Sequence, residues 1–138
     1  MTKVEVVKKA ILGVMNQGQA SVMKSMCVYR TTGGDKQLKC AVGHLIDDEH
    51  YNPKFDDNGM TMYDCPVIEA VEASNGIEVD TELRVTLRQV QRAHDCVNES
   101  VRGENFTKEF LSQINNFCKG NPIVDEALKE LGYEPTTL

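Results

Sequence analysis

The sequence predicts a mostly helical α+β fold, a small antiparallel hairpin packed on four or five helices. Three observations carry that prediction. Apolar residues recur at helical spacing near the start of the chain and throughout its second half. Between those regions, two short extended stretches flank Gly33-Gly34. No repeat, low-complexity tract or linker divides the 138 residues, so residues 1–138 are expected to fold as one domain. A chain of this length buries a core without staples.

Val4, Val7, Ile11, Val14 and Met15 share one helical face, which predicts a first helix from Thr2 to Gln17 with Gly18 as its stop. Ser21 to Thr32 and Gln37 to Val42 read as two strands joined around Gly33-Gly34, where positive φ is cheap. A short helix is expected from near Ala41, ending before Pro53, because the residue ahead of a proline avoids the helical region. Asn52 to Pro66 then reads as a loop with Asp56-Asp57-Asn58-Gly59 as its turn.

Val67 to Ser74 make two helical turns closed by Asn75-Gly76. Asp80 or Thr81 caps the longest helix, along which Leu83, Leu87, Val90, His94 and Val97 repeat at intervals of four and three. Phe106, Phe110, Ile114 and Phe117 mark the next, with Thr107 as its cap. Asn121-Pro122 opens the last, with Ile123, Ala127, Leu128 and Leu131 buried and Gly132 as the stop. The tail to Leu138 is expected to be irregular.

Composition excludes several classes. A net charge of −6 disfavours non-specific nucleic-acid binding, which runs on Lys and Arg neutralising phosphates. Nothing approaches a membrane-spanning helix, and the opening residues pass straight into an amphipathic pattern rather than a signal peptide. The five cysteines, at 27, 40, 65, 96 and 118, are odd in number and form no CxxC pair. Reduced thiols and a cytoplasmic location are therefore expected.

Chemistry-bearing residues gather around Lys39-Cys40-Ala41-Val42-Gly43-His44-Leu45-Ile46, with Asp47, Asp48 and Tyr51 behind it. Gly43 in that run permits close backbone approach. A second group is Gln89-Val90-Gln91-Arg92-Ala93-His94-Asp95. Together with the preceding Tyr29-Arg30 strand, these motifs resemble a family of small uncharacterised proteins of tailed bacteriophages and their bacterial hosts. The likeness covers about half the chain, and Val90-Gln91 stands where that family has Leu-Gln. The resemblance implies a phage accessory protein and no reaction.

A thiol nucleophile needs a base in hydrogen-bond reach and an acceptor that orients the base. Cys40, His94 and Asp95 supply those residue types, with His44 as a second candidate base. Consecutive residues on a helix diverge by about a hundred degrees, so Asp47 or Asp48 is the more natural acid to orient His94. The opposing reading makes Cys40 a small hydrophobe between Leu38 and Val42. His94 is then a packed ring on an apolar stripe, and Asp95 reaches the hairpin turn or Arg30, so that the pair clips helix to sheet.

No metal or cofactor is expected. Cys40 and His44 are four apart, with His50, Cys96 or His94 as further ligands, but the paired spacings of zinc sites are missing. Asp56-Asp57-Asn58-Gly59 lacks the alternating ligands of a calcium loop. Binding is the remaining class. Phe55, Met60, Met62 and Tyr63 are more apolar than a connecting loop requires, and aromatics and Met are enriched at interface centres. With Gly33, Gly34 and Asp35 at the hairpin turn, they form the expected surface for a protein partner encoded by the host or by the phage. The alternative is a thiol-dependent hydrolase or transferase with Cys40 as nucleophile and His94 or His44 as base.

Overall fold

In the computed structural model, which describes residues 1–133, the chain forms six α-helices and one two-stranded antiparallel sheet. Helix α1 (Lys3–Gln17) starts in a capping box: the Thr2 hydroxyl accepts the Glu5 N–H, and the Glu5 carboxylate accepts the Thr2 N–H. It ends at Gly18, whose φ of 71° is the left-handed conformation that closes a helix. Val6, Val7, Ala10, Ile11 and Val14 form its buried face.

The sheet differs from the expected hairpin. Its strands are β1 (Val22–Met23) and β2 (Met26–Cys27), turning at Lys24-Ser25, both with positive φ (51° and 64°). Two successive positive φ angles define the tight turn whose twist matches paired strands. Asn-Gly usually supplies it, so Lys-Ser gives no signal in the sequence. Of the predicted pairing around Gly33-Gly34, an isolated Arg30–Lys39 bridge and a Thr31 N–H to Leu38 carbonyl bond of 2.9 Å remain. The predicted helix from Ala41 is a single 3₁₀ turn, Gly43–Leu45.

The segment expected to be an irregular loop contains helix α2 (Lys54–Asp57), one turn that follows Pro53. Four residues are too few to show a helical period. Helices α3 (Cys65–Asn75) and α4 (Thr81–Asp95) follow, and the Asp80 carboxylate caps α4 by accepting the Leu83 N–H. Leu83, Leu87, Val90, His94 and Val97 are all buried, as their spacing predicts. Helix α5 (Gly103–Phe117) begins a turn before the expected Thr107 cap; its first N–H, on Gly103, donates to the Gly18 carbonyl. Asn121 caps α6 (Pro122–Glu130), accepting from Ile123 and Val124, while its amide donates to Thr86 and Gln89 on α4. The predicted irregular tail lies, from residue 134, outside the described residues.

Helices α1, α4, α5 and α6 enclose one apolar core, α1 against α6 and α4 against α5. Each fully buried Val, Leu, Ile or Phe there contributes about 1.5–3 kcal/mol. Cys40, Ala41, Val42, Leu45 and Ile46 join the same core from the 3₁₀ segment. Gly43 is required within it, since a Cβ there would stand 2.3 Å from the Tyr29 carbonyl oxygen. No helix of the described residues is long and apolar enough to cross a membrane.

Candidate functional site: the cleft beside helix α4

His94 projects from α4 into the core and is fully buried. Its Nε2 accepts the Ser21 N–H at 3.0 Å, and its Nδ1 lies 2.9 Å from an Asp95 carboxylate oxygen. Because Nε2 receives a backbone N–H, the ring proton sits on Nδ1 and is donated to Asp95. The adjacent pair therefore does meet, against the expectation that consecutive residues diverge. Asp95 also accepts from the Gln91 side-chain amide at 2.8 Å, and Gln91 accepts the Val42 N–H at 2.9 Å. One turn of α4 thus holds both the hairpin and the Cys40 segment.

This geometry does not assemble the Cys40 nucleophile. Cys40 is buried, its sulfur accepts the Gly43 N–H at 3.3 Å, and burial pushes its thiol far above the ordinary range. Both His94 nitrogens are committed to Ser21 and Asp95, leaving none for a thiol. The second candidate base, His44, packs its ring against Gly13 of α1; burial, then the Lys39 charge, lowers its pKa to about 4. Asp47 and Asp48 do not orient His94 either. Asp48 pairs with Arg30 at 2.8 Å, so Arg30 is not Asp95's partner.

The structure brings Cys27, not Cys40, to the His94–Asp95 pair, with one donor atom of each within 4.8 Å of the others. Burial and the Asp95 carboxylate push the Cys27 thiol up to about 12, the reverse of nucleophile activation. As a metal site the trio is also incomplete, because Nδ1 of His94 bears the proton that Asp95 accepts and offers no lone pair. Asp47, Glu49 and His50 cluster similarly at the surface, where His50 Nδ1 is 3.3 Å from the Ser74 hydroxyl. The proposed grouping of His50 with Cys40 and His44 is not formed there.

Beside this network lies a cleft of about 680 Å³. One wall is the hairpin, with Met23, Met26 and Cys27; the other is the 53–63 segment, and the Arg88–Asp95 stretch of α4 runs along the side. Asp56 ties the walls together, accepting the Tyr29 N–H at 2.7 Å, the Arg30 N–H at 3.3 Å and the Tyr51 hydroxyl at 2.6 Å. The Tyr29 hydroxyl donates to the Met60 carbonyl at 2.6 Å. Arg30 donates to the Ile46 carbonyl and stacks 4.3 Å over the Tyr51 ring, while its buried Nε–H has no partner among the described residues.

The predicted binding residues separate into groups. Phe55 is 4 % exposed and Met62 3 %, so both are core side chains that reach the cleft only from within its wall. Tyr29 and Tyr51 pack edge-on against Phe55 and fix it there. Met60 is half-buried in the cleft wall, and Tyr63 is 59 % exposed at the rim. Gly33, Gly34 and Asp35 are exposed but do not line the cleft; the β1–β2 hairpin takes that place, with Met26 at 68 % exposure. Met23 and Met26 escaped sequence reasoning because their turn was unrecognised.

No family model matches this chain, and neither a curated protein nor a solved structure matches it.

Proposed function

We propose that the protein acts by binding a protein partner in the cleft between the β1–β2 hairpin and the 53–63 segment, without chemistry on that partner and without a cofactor. The observation that carries this reading is the cleft itself. Met26 and Tyr63 stand exposed on opposite walls, with Met23 and Met60 between them. Adaptable Met side chains beside an aromatic make a surface suited to receiving a partner's apolar anchor. The resemblance to tailed-phage proteins supports reading the chain as a phage accessory protein whose partner is encoded by the host, or by the phage, and is met in the host cytoplasm.

Affinity capture from the producing cell, with mass spectrometry, tests this. The wild-type chain should retain a partner in near-stoichiometric amount, and Met26→Glu should lose it with the thermal midpoint unchanged. A partner retained equally by Met26→Glu would place the interface elsewhere.

A further inference from the structure

Helix α4 carries arginines at 84, 88 and 92, successive positions on one helical face about 6 Å apart. All three guanidinium groups lie over aromatic rings. Arg88 sits 3.9 Å and Arg84 5.6 Å from the Tyr63 ring centre, and Arg92 lies 4.9 Å from that of Phe117. A guanidinium held over a ring keeps N–H groups available to an acceptor.

No ion pair among the described residues includes any of the three. Lys3 meets Asp80 and Glu82, Lys8 meets Glu130, and Arg30 meets Asp48, while the remaining lysines and Arg102 are scattered cations that also form no ion pair among the described residues. What distinguishes the three arginines is their clustering, a local strip of positive charge on one face of α4 in a chain of net charge −6. Like charges four apart on a helix destabilise it, so the row carries a cost that intramolecular pairing does not offset. Arg88 and Arg92 also line the cleft.

We infer that Arg84, Arg88 and Arg92 form a track for an acidic segment of the protein partner, whose carboxylates pair with successive guanidinium edges while an adjoining apolar side chain enters the cleft. This rests on the partner-binding reading above and adds the partner's charge. Carboxylates on alternate residues of an extended segment are roughly 6.6–6.8 Å apart, and those four apart on a helix about 6 Å, so both fit the spacing. Planar guanidinium groups take carboxylates in a bidentate manner. A nucleic-acid strand is the competing anion; the chain's net negative charge opposes both, and more strongly a strand with a phosphate at every nucleotide than a segment with spaced carboxylates.

Fluorescence anisotropy of the full chain with a labelled ten-residue glutamate peptide tests the track. A glutamine peptide and a single-stranded oligonucleotide of equal length serve as the other two probes. The glutamate peptide should bind, the glutamine peptide should not, and added salt should weaken binding. Arg84→Gln/Arg88→Gln/Arg92→Gln should bind the glutamate peptide roughly tenfold more weakly while remaining folded, with a thermal midpoint no lower than that of wild type. Equal binding by this variant, no binding by wild type, or tighter binding of the oligonucleotide would each overturn the inference. Met26→Glu separates this outcome from the cleft reading. A captured partner lost by Met26→Glu but kept by the triple variant leaves the cleft standing and removes the track.

Discussion

The buried Nε2 of His94 accepts the backbone N–H of Ser21 at 3.0 Å, and this bond ends the pairing of β1 with β2. At that rung the Val28 N–H still donates to the Ser21 carbonyl, but the Ser21 N–H turns to the histidine. The Ser21 hydroxyl donates to the Val28 carbonyl in its stead, at 2.8 Å. The hairpin is therefore held to the helical core by a side chain rather than by a broader sheet.

His94→Ala should cost roughly 2–5 kcal/mol, because it opens a cavity and strands a buried N–H. His94→Gln restores an acceptor near Nε2 and should cost clearly less. Urea denaturation ranks the two, and amide exchange at Ser21 should quicken in the alanine variant. Equal costs would mean that ring volume matters and the bond does not.

Gly13 lies inside α1, yet a Cβ there would meet the His44 ring, 2.5 Å from Cγ. Replacing a helical Gly by Ala normally stabilises by about 0.5–1 kcal/mol. Here Gly13→Ala should instead destabilise by about 1–3 kcal/mol, since the ring is crowded near its root. In a His44→Ala background the same change should turn stabilising. A double-mutant cycle measures the reversal, and additive effects would contradict the contact.

Stability should also follow the His44 proton. Above pH 6.5 the ring is neutral in both folded and unfolded chains, and its burial costs nothing extra. Between 6.5 and about 4 the unfolded chain takes up a proton that the folded chain excludes, so stability falls as pH falls. His44 as a residue is half-buried, although its Nε2 is enclosed without a partner among the described residues, and solvent screening limits this loss to about 1–2 kcal/mol. His44→Gln should flatten that part of the profile, as read from urea midpoints at about pH 7 and about pH 4.5.

Phe55 and Tyr63, close in sequence, should behave as opposites. Phe55→Ala should cost roughly 3–5 kcal/mol, as expected for a ring enclosed by Tyr29 and Tyr51. Tyr63→Ala should stay within about 0.5 kcal/mol in stability, yet weaken a captured partner by about 1 kcal/mol or more. Thermal melts and a binding titration on the same two variants decide it. A stable Phe55→Ala protein would return that ring to the surface.

The sequence by itself determined the helical framework. Capping and periodicity are local: Thr2 with Glu5, Asp80 before Leu83, and Asn121-Pro122 act within one turn of their own helix. The stripe from Leu83 to Val97 exposed its buried face through spacing alone. Tertiary structure decided the rest. Lys24-Ser25 adopts its turn without a turn signal, because Ser21 is fixed by a histidine 73 positions away. Thr107 lost the cap of α5 once Gly103 could donate to the Gly18 carbonyl. Phe55 was drawn inward by Asp56 binding Tyr29, Arg30 and Tyr51, a set of bonds that no local pattern encodes. The arginine row is visible in the sequence as a spacing of four. That its charges stay unpaired while stacked on Tyr63 and Phe117 depends on which surfaces the fold brings alongside α4.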